Sequence, residues 1–325
     1  MKFTKTMCAL AVTALVSVSG IAQAEWKPTK NIDAIVHTGP GGGNDVLARA
    51  IAQMMEKEKL LPVRMNVVNK PGGNGAVAAA AIFEKKGDPH SIGFISTVWL
   101  ANALTTTEAK ITLHDLTPVA GLMVEPAVIV VRADSPYKTL KDFLDAAKAK
   151  PGTLKQSGGS VTSRDNIVRQ ALMAKTGGRW AFVSFPGGGE RIAALLGGHV
   201  DIMVIEPQEA GEQVRAGKMR VLAQIANKPL AAYPGVPTMK EAGFDVPLIP
   251  QMRAVMGPPE MPKDVLAYYE DLFARLRKTA SWKKYLEDNQ FEEGGTNGPE
   301  LDKWIKQIEN DMRGQFQSIG IKTVR

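Results

Sequence analysis

Cysteine is almost missing from this 325-residue chain: it has one, Cys8, inside an apolar N-terminal segment. That excludes a disulfide framework and a cysteine-ligated metal site. Histidine is nearly as scarce, with four, at 37, 90, 114 and 199, and none at metal-ligand spacing. Neither His-Glu-x-x-His nor Gly-x-Ser-x-Gly occurs, so neither a zinc protease nor an ordinary serine hydrolase is indicated. No glycine loop runs into Gly-Lys-Ser or Gly-Lys-Thr, which rules out a P-loop. The formal charge is +7, but Lys and Arg alternate with Asp and Glu, as in Lys138-Thr139-Leu140-Lys141-Asp142. A basic block with interleaved aromatics is lacking, so nucleic acid is not an expected partner. Gly73-x-Gly75-x-x-Ala78 meets the loose dinucleotide pattern, yet the next strand, ending Phe94-Ile95-Ser96-Thr97, offers no acidic tip to hold a ribose.

What is present begins with a leader. Met1-Lys2-Phe3-Thr4-Lys5 is basic, Met7 to Val18 is apolar, and Ala22-Gln23-Ala24 fits a small-x-small cleavage rule. The apolar run is shorter than the roughly 18–20 residues a membrane span needs. Residues 1–24 therefore read as a signal peptide cleaved after Ala24, with Glu25 as the mature start. Cys8 lies mid-segment, away from the cleavage point, so a lipid anchor is not expected. An exported chain without disulfides has to be held by its core, and its length suffices for two domains.

Three times an apolar run ends in a glycine-rich loop and then an amphipathic helix. Ala34-Ile35-Val36 leads into Gly39-Pro40-Gly41-Gly42-Gly43-Asn44-Asp45, and Val67-Val68 into Pro71-Gly72-Gly73-Asn74-Gly75. Phe182-Val183-Ser184-Phe185 leads into Pro186-Gly187-Gly188-Gly189-Glu190. A loop without side chains lets backbone N–H groups approach a ligand, and the helix start adds free donors and the positive end of its dipole. The device suits capture of an anion.

The remaining pattern alternates strands and helices, which indicates open α/β sheets. Strands are expected at 63–69, 91–96, 127–131, 201–205 and 219–226. The unbroken run Ala127-Val128-Ile129-Val130-Val131 reads as a buried parallel strand. Helices are expected at 75–84, 140–148, 166–174, 263–278, 282–288 and 299–317, and prolines 229, 234, 237, 247 and 250 mark a long irregular connection. His37, at a strand end beside the first glycine loop, either donates to a ligand carboxylate or serves structure, the latter favoured by its apolar strand.

Several motifs together carry a family resemblance. Gly41-Gly42-Gly43-Asn44-Asp45-x-x-Ala48-Arg49, Asn69-Lys70-Pro71-Gly72-Gly73-Asn74-Gly75 and Ala193-Ala194-Leu195-Leu196-Gly197-Gly198-His199-Val200-Asp201 occur in order. Ala216-Gly217-Lys218-Met219-Arg220 and Val236-Pro237-Thr238-Met239-Lys240-Glu241-Ala242-Gly243 follow. The chain resembles, over essentially its whole mature length, the tripartite tricarboxylate transporter substrate-binding receptors, the Bug receptors. The resemblance implies a periplasmic protein of two α/β lobes (type II-like) that closes on an organic acid and delivers it to a membrane permease. It implies no cofactor, no catalysis and a monomer.

Carried over residue by residue, the ligand positions are Gly41, Gly42, Gly43, Asn44 and Asp45, then Ser96 and Thr97, then Gly158, Gly159 and Ser160, then Pro186, Gly187, Gly188 and Gly189, and Glu206. Asp45 is poorly suited to face an anion and is expected to cap its helix or hold a water. Phe185 stands where the family pattern has Tyr, and Gly257-Pro258-Pro259-Glu260-Met261-Pro262 replaces the usual turn, which leaves the ligand open. Arg164, at a helix start, is a candidate for a second ligand carboxylate, with pairing to Asp165 or solvent as its alternative; Arg253 is a further candidate. The first lobe is expected over 25–126 and 252–325 and the second over 127–251, joined by two crossing segments that make a hinge. An exported hydrolase of small acidic esters and a ligand-sensing partner of a membrane kinase are the alternative functions.

Overall fold

The structure is a computed structural model that describes residues 26–159, 163–185, 188–244 and 249–325. The expected leader and its expected cleavage point lie outside the described residues. The chain first lays down β1 (Ile32–Val36), α1 (Gly43–Lys57), β2 (Met65–Asn69), α2 (Ala76–Phe83), β3 (Ser91–Ser96), α3 (Val98–Thr105) and β4 (Thr117–Glu125). It then forms β5 (Ala127–Arg132), α4 (Leu140–Ala149), β6 (Lys155–Gly158), α5 (Arg164–Thr176), β7 (Ala181–Ser184), α6 (Gly188–Leu196), β8 (Ile202–Ile205), α7 (Pro207–Arg215) and β9 (Met219–Ile225). It closes with β10 (Gln251–Gly257), α8 (Lys263–Lys278), α9 (Ala280–Asn289), β11 (Glu292–Glu293) and α10 (Gly298–Ser318).

These strands build two sheets. The first has the order β11-β4-β10-β3-β1-β2 and the second β7-β6-β8-β5-β9. Helices cover both faces of each, and the period-2 alternation of the strands feeds both layers. In β1, Ile32, Ala34 and Val36 pack toward α1, α8 and Trp282, while Ile35 faces the layer holding Ile82, Leu100, Ile305 and Phe316. In β5, Ala127, Ile129 and Val131 join Phe143, Leu172 and Trp180, while Val128 and Val130 meet Leu195, Ala210 and Tyr233.

β5 runs antiparallel to both neighbours, β8 and β9, and so corrects the parallel reading. An unbroken apolar run reports burial on both faces, and that burial is indifferent to strand direction. The strand that enters the second sheet from the first arrives against the grain of β6 and β8, which pair in parallel with each other.

The chain passes between sheets twice. The first passage is the single residue Pro126, between β4 and β5; the second returns from β9 to β10 through the proline-rich connection. The two passages are neighbours, because Glu125 and Gln251 are register partners in the antiparallel β4–β10 pair. The second is pinned by Thr97, whose hydroxyl donates to the Pro250 carbonyl at 2.7 Å and accepts from the Met252 N–H at 2.8 Å. Two lobes joined by two adjacent strands follow from this topology.

Candidate ligand site between the lobes

Six helices begin at one cavity. Gly43 opens α1, Gly75 precedes α2, Val98 opens α3, Arg164 opens α5, Gly188 opens α6, and Glu206 caps α7; all six residues line the same cavity of about 450 Å³. The first three come from the lobe of the first sheet and the others from the second. Helix starts carry unsatisfied N–H groups and the positive end of the dipole. The N–H groups of Gly43, Asn44 and Val98 have no partner among the described residues. The cavity is thus ringed by positive partial charge before any side chain is counted.

The glycine loops are built by their own internal bonds. At α1, the Asp45 carboxylate accepts from the Gly41 N–H at 2.8 Å, from Arg49 and from Asn69 Nδ2 at 2.9 Å. Burial alone would raise its pKa, but these donors outweigh it and hold the carboxyl below its usual range. Asp45 therefore anchors the loop from behind. Asn44 donates to the Phe94 carbonyl and to His37 Nδ1 and accepts from Arg253 Nη1 at 2.5 Å. Since an amide NH₂ only donates, His37 Nδ1 accepts and its proton sits on Nε2. Burial, helped by Arg253, pushes the His37 pKa down to about 3, so the ring is neutral and donates from the cavity wall.

In the second lobe, Asp165 plays the corresponding part. It accepts from the Gly159 N–H at 2.7 Å, from the Ser163 hydroxyl and from the Asn166 N–H. Burial nevertheless raises its pKa, against the pull of Ser163 and Arg191. Three arginines reach the cavity wall. Arg164 donates to the Glu125 carbonyl at 2.6 Å and pairs with Glu206 at 2.8 Å. Arg253 pairs with Glu125 at 2.6 Å. Arg191 sits more loosely among Glu209 at 3.3 Å, Asp165 at 3.5 Å and Glu206 at 3.9 Å. Burial would raise the Glu206 pKa, but Arg164, Arg191 and Arg253 together lower it. Glu209 is less fortunate: burial and the adjacent Glu206 push it up to about 7 despite Arg191.

Among the described residues no group of three or more His, Cys, Asp or Glu side chains is placed to hold a metal ion. No described helix is long and apolar enough to cross a membrane.

The sequence profile of the tripartite tricarboxylate transporter family receptors matches residues 47–321. The chain belongs to that receptor family. A curated relative from Cupriavidus necator, a UPF0065 protein in the gbd 5' region, is 31% identical over 239 residues, covering 73% of this chain and 72% of its own. A Polaromonas TctC solute-binding protein, solved without ligand, is 28% identical with a TM-score of 0.68, covering 89% of this chain and 99% of that one. A Rhodopseudomonas palustris protein solved with adipate has the same fold, with a TM-score of 0.84 at 21% identity, covering 91% of this chain and 99% of that one. The chain is accordingly a solute-binding receptor and not an enzyme, and the hydrolase reading falls.

In this receptor the carried-over positions divide into three groups. Gly43, Ser96, Gly159, Arg164, Gly188 and Glu206 line the cavity. Gly41, Gly42, Asn44, Asp45, Thr97 and Gly158 stand behind or beside its wall: the Gly42 N–H is used by the Gly39 carbonyl, and the Thr97 hydroxyl by the second passage. A Cβ on Gly158 would strike the Phe182 ring, so this glycine serves packing. Gly189 is exposed away from the cavity, and Ser160, Pro186 and Gly187 lie outside the described residues. Arg164 pairs with Glu206 and the Glu125 carbonyl, which is neither Asp165 nor solvent. The Gly72-Gly73-Asn74-Gly75 loop, read from sequence as an anion-capture loop though not carried over as a ligand position, lines the cavity, and so does Arg191, which sequence reading missed. Phe185 lines the cavity and gives it an apolar patch where a phenol would donate.

Proposed function

We propose that this receptor captures a small organic acid between its lobes in the periplasm and presents it to the membrane permease of a tripartite tricarboxylate transporter. The observation that carries the reading is the convergence of six helix starts, three from each lobe, on one cavity. A carboxylate there takes up free N–H groups and the positive ends of helix dipoles. Closing the lobes brings both sets of donors onto one ligand. The neighbour solved with adipate, a dicarboxylate, supports the choice of acid. In this reading the lobes comprise residues 25–126 with 252–325, and 127–251, and the receptor works as a monomer. A leader cleaved after Ala24 takes it across the inner membrane. Arg164 contributes to binding by sharing its guanidinium between Glu206 and the ligand.

The test is thermal. A ligand at 100 times its dissociation constant stabilises the folded protein by about 2.7 kcal/mol, which is roughly a 5–10 °C rise. In a melting screen of mono-, di- and tricarboxylates, sugars, amines and metal salts, one group of carboxylates is expected to raise the transition. A response confined to neutral sugars or cations overturns the reading.

A further inference from the structure

Two buried donors on the cavity wall have no partner. They are the Ser96 hydroxyl and Arg253 Nε, both without a hydrogen bond among the described residues. Ser96 is fully buried and Arg253 is 6% exposed. A buried polar group left unpaired costs stability, and native structures retain few of them. These two are not scattered. Ser96 ends β3 and Arg253 lies on β10, and they are direct register partners across the antiparallel pair. Side chains of opposed residues in such a pair leave the same face of the sheet, with Cβ atoms about 4.5–5.5 Å apart. The two unpaired donors therefore leave the same face of the sheet from neighbouring strands.

The surroundings fix the chemistry of that acceptor. Arg253 has committed Nη1 to Asn44 and Nη2 to Glu125, so its guanidinium is held in place, and its Nε–H has no partner among the described residues. Gly43, the first residue of α1, packs so close that a Cβ there would lie 2.8 Å from Arg253 Nη2. The uncapped start of α1 therefore abuts the same spot, with the Gly43 N–H unpartnered among the described residues. The neutral His37 lines this wall with its Nε2 proton. The Arg253 Nε–H, the Gly43 N–H and the His37 Nε2–H only donate, and the Ser96 hydroxyl has a proton to donate as well.

We propose that Ser96 and Arg253 form an acid-group subsite on the first lobe, in which one oxygen of a ligand carboxylate accepts from Ser96 Oγ and Arg253 Nε. The assignment rests on the organic-acid reading and deepens it: the ligand's acid group is held by the lobe of the first sheet. The second lobe, with its loosely held Arg191 and its acidic neighbours, meets the rest of the molecule.

Ser96→Ala tests this cleanly, because the hydroxyl it removes bonds to nothing in the free protein. Arg253→Lys is the second variant: it keeps a cation against Glu125 and deletes Nε together with the Nη1 bond to Asn44, so its unliganded melting temperature is measured alongside. The probes are malonate, succinate, glutarate and adipate, measured by titration calorimetry and melting. For whichever diacid binds the wild type, each variant is expected to weaken binding by about 10-fold or more. The melting temperature of unliganded Ser96→Ala should be unchanged or higher. Wild-type binding with no loss in either variant overturns the subsite and leaves the receptor reading standing. Loss of unliganded stability in Ser96→Ala, matching its loss of binding, also overturns it, since the hydroxyl would then be structural. Failure of every diacid to bind the wild type overturns the dicarboxylate reading itself.

Discussion

Arg164 shows how a side chain in a binding cleft can be spoken for by its own protein. Its guanidinium bonds the Glu125 carbonyl at the first passage between lobes and the Glu206 carboxylate at the start of α7. Both members of the ion pair are largely buried, with side-chain exposures of 9% and 16%. Removing one member of such a pair leaves an uncompensated charge, at a cost of about 3–5 kcal/mol. Arg164→Ala is therefore expected to lose about that much in urea unfolding, and Arg164→Ala combined with Glu206→Gln to regain a large part of it. A single variant as stable as wild type would mean that Arg164 is solvated in solution. The same bonds explain why its role was only half legible in the sequence. Its position at a helix start pointed to the cavity, whereas its partners lie 39 and 42 residues away in the chain.

At the level of elements, helices with strong apolar periodicity stand close to where the pattern puts them: α8 spans Lys263–Lys278 and α10 spans Gly298–Ser318. The losses have physical causes. β10, Gln251–Gly257, carries Arg253 in its centre, and a charge inside a strand hides the apolar run unless its buried partner Glu125 is known. α3 is eight residues long and apolar on most sides, so it has no polar face to mark its period. The glycine loops were legible as helix starts, but not their convergence, which depends on how the two sheets face each other. α7 offers a test at this scale. Glu209, in its first turn, faces Glu206, Arg191, Glu125 and Arg253, and burial with Glu206 raises its pKa from 4.5 to about 7. A carboxyl raised in the folded state binds its proton more tightly there than in the unfolded chain. Its contribution to stability is thus present below pH about 4.5 and is lost as pH rises to about 7. Glu209→Gln should flatten the stability profile in that window, measured by urea midpoints at half-unit steps; an unchanged slope would place the titration elsewhere.

For the whole molecule, the one cysteine, Cys8, lies in the proposed leader, so a chain cleaved after Ala24 would fold without any tie to oxidation. Intact-mass measurement of exported protein should give a chain starting at Glu25, with a mass that reducing agent does not change. Retention of residues 1–24 would remove the periplasmic assignment. The placement of the two passages has a further consequence. Glu125 and Gln251 face each other across an antiparallel pair, so β4 and β10 form a hairpin, and the whole second lobe occupies the position of its turn. In design terms the molecule is one domain spliced into the tip of another's hairpin. Because sliding either strand would break that register, lobe closure is expected to bend or twist this two-stranded ribbon. Arg253 and Glu125 sit on this ribbon, and Ser96 on the strand beside it. A ligand held there, as proposed, would bear on the hinge itself, where a small displacement carries the far rim of the second lobe through the longest arc.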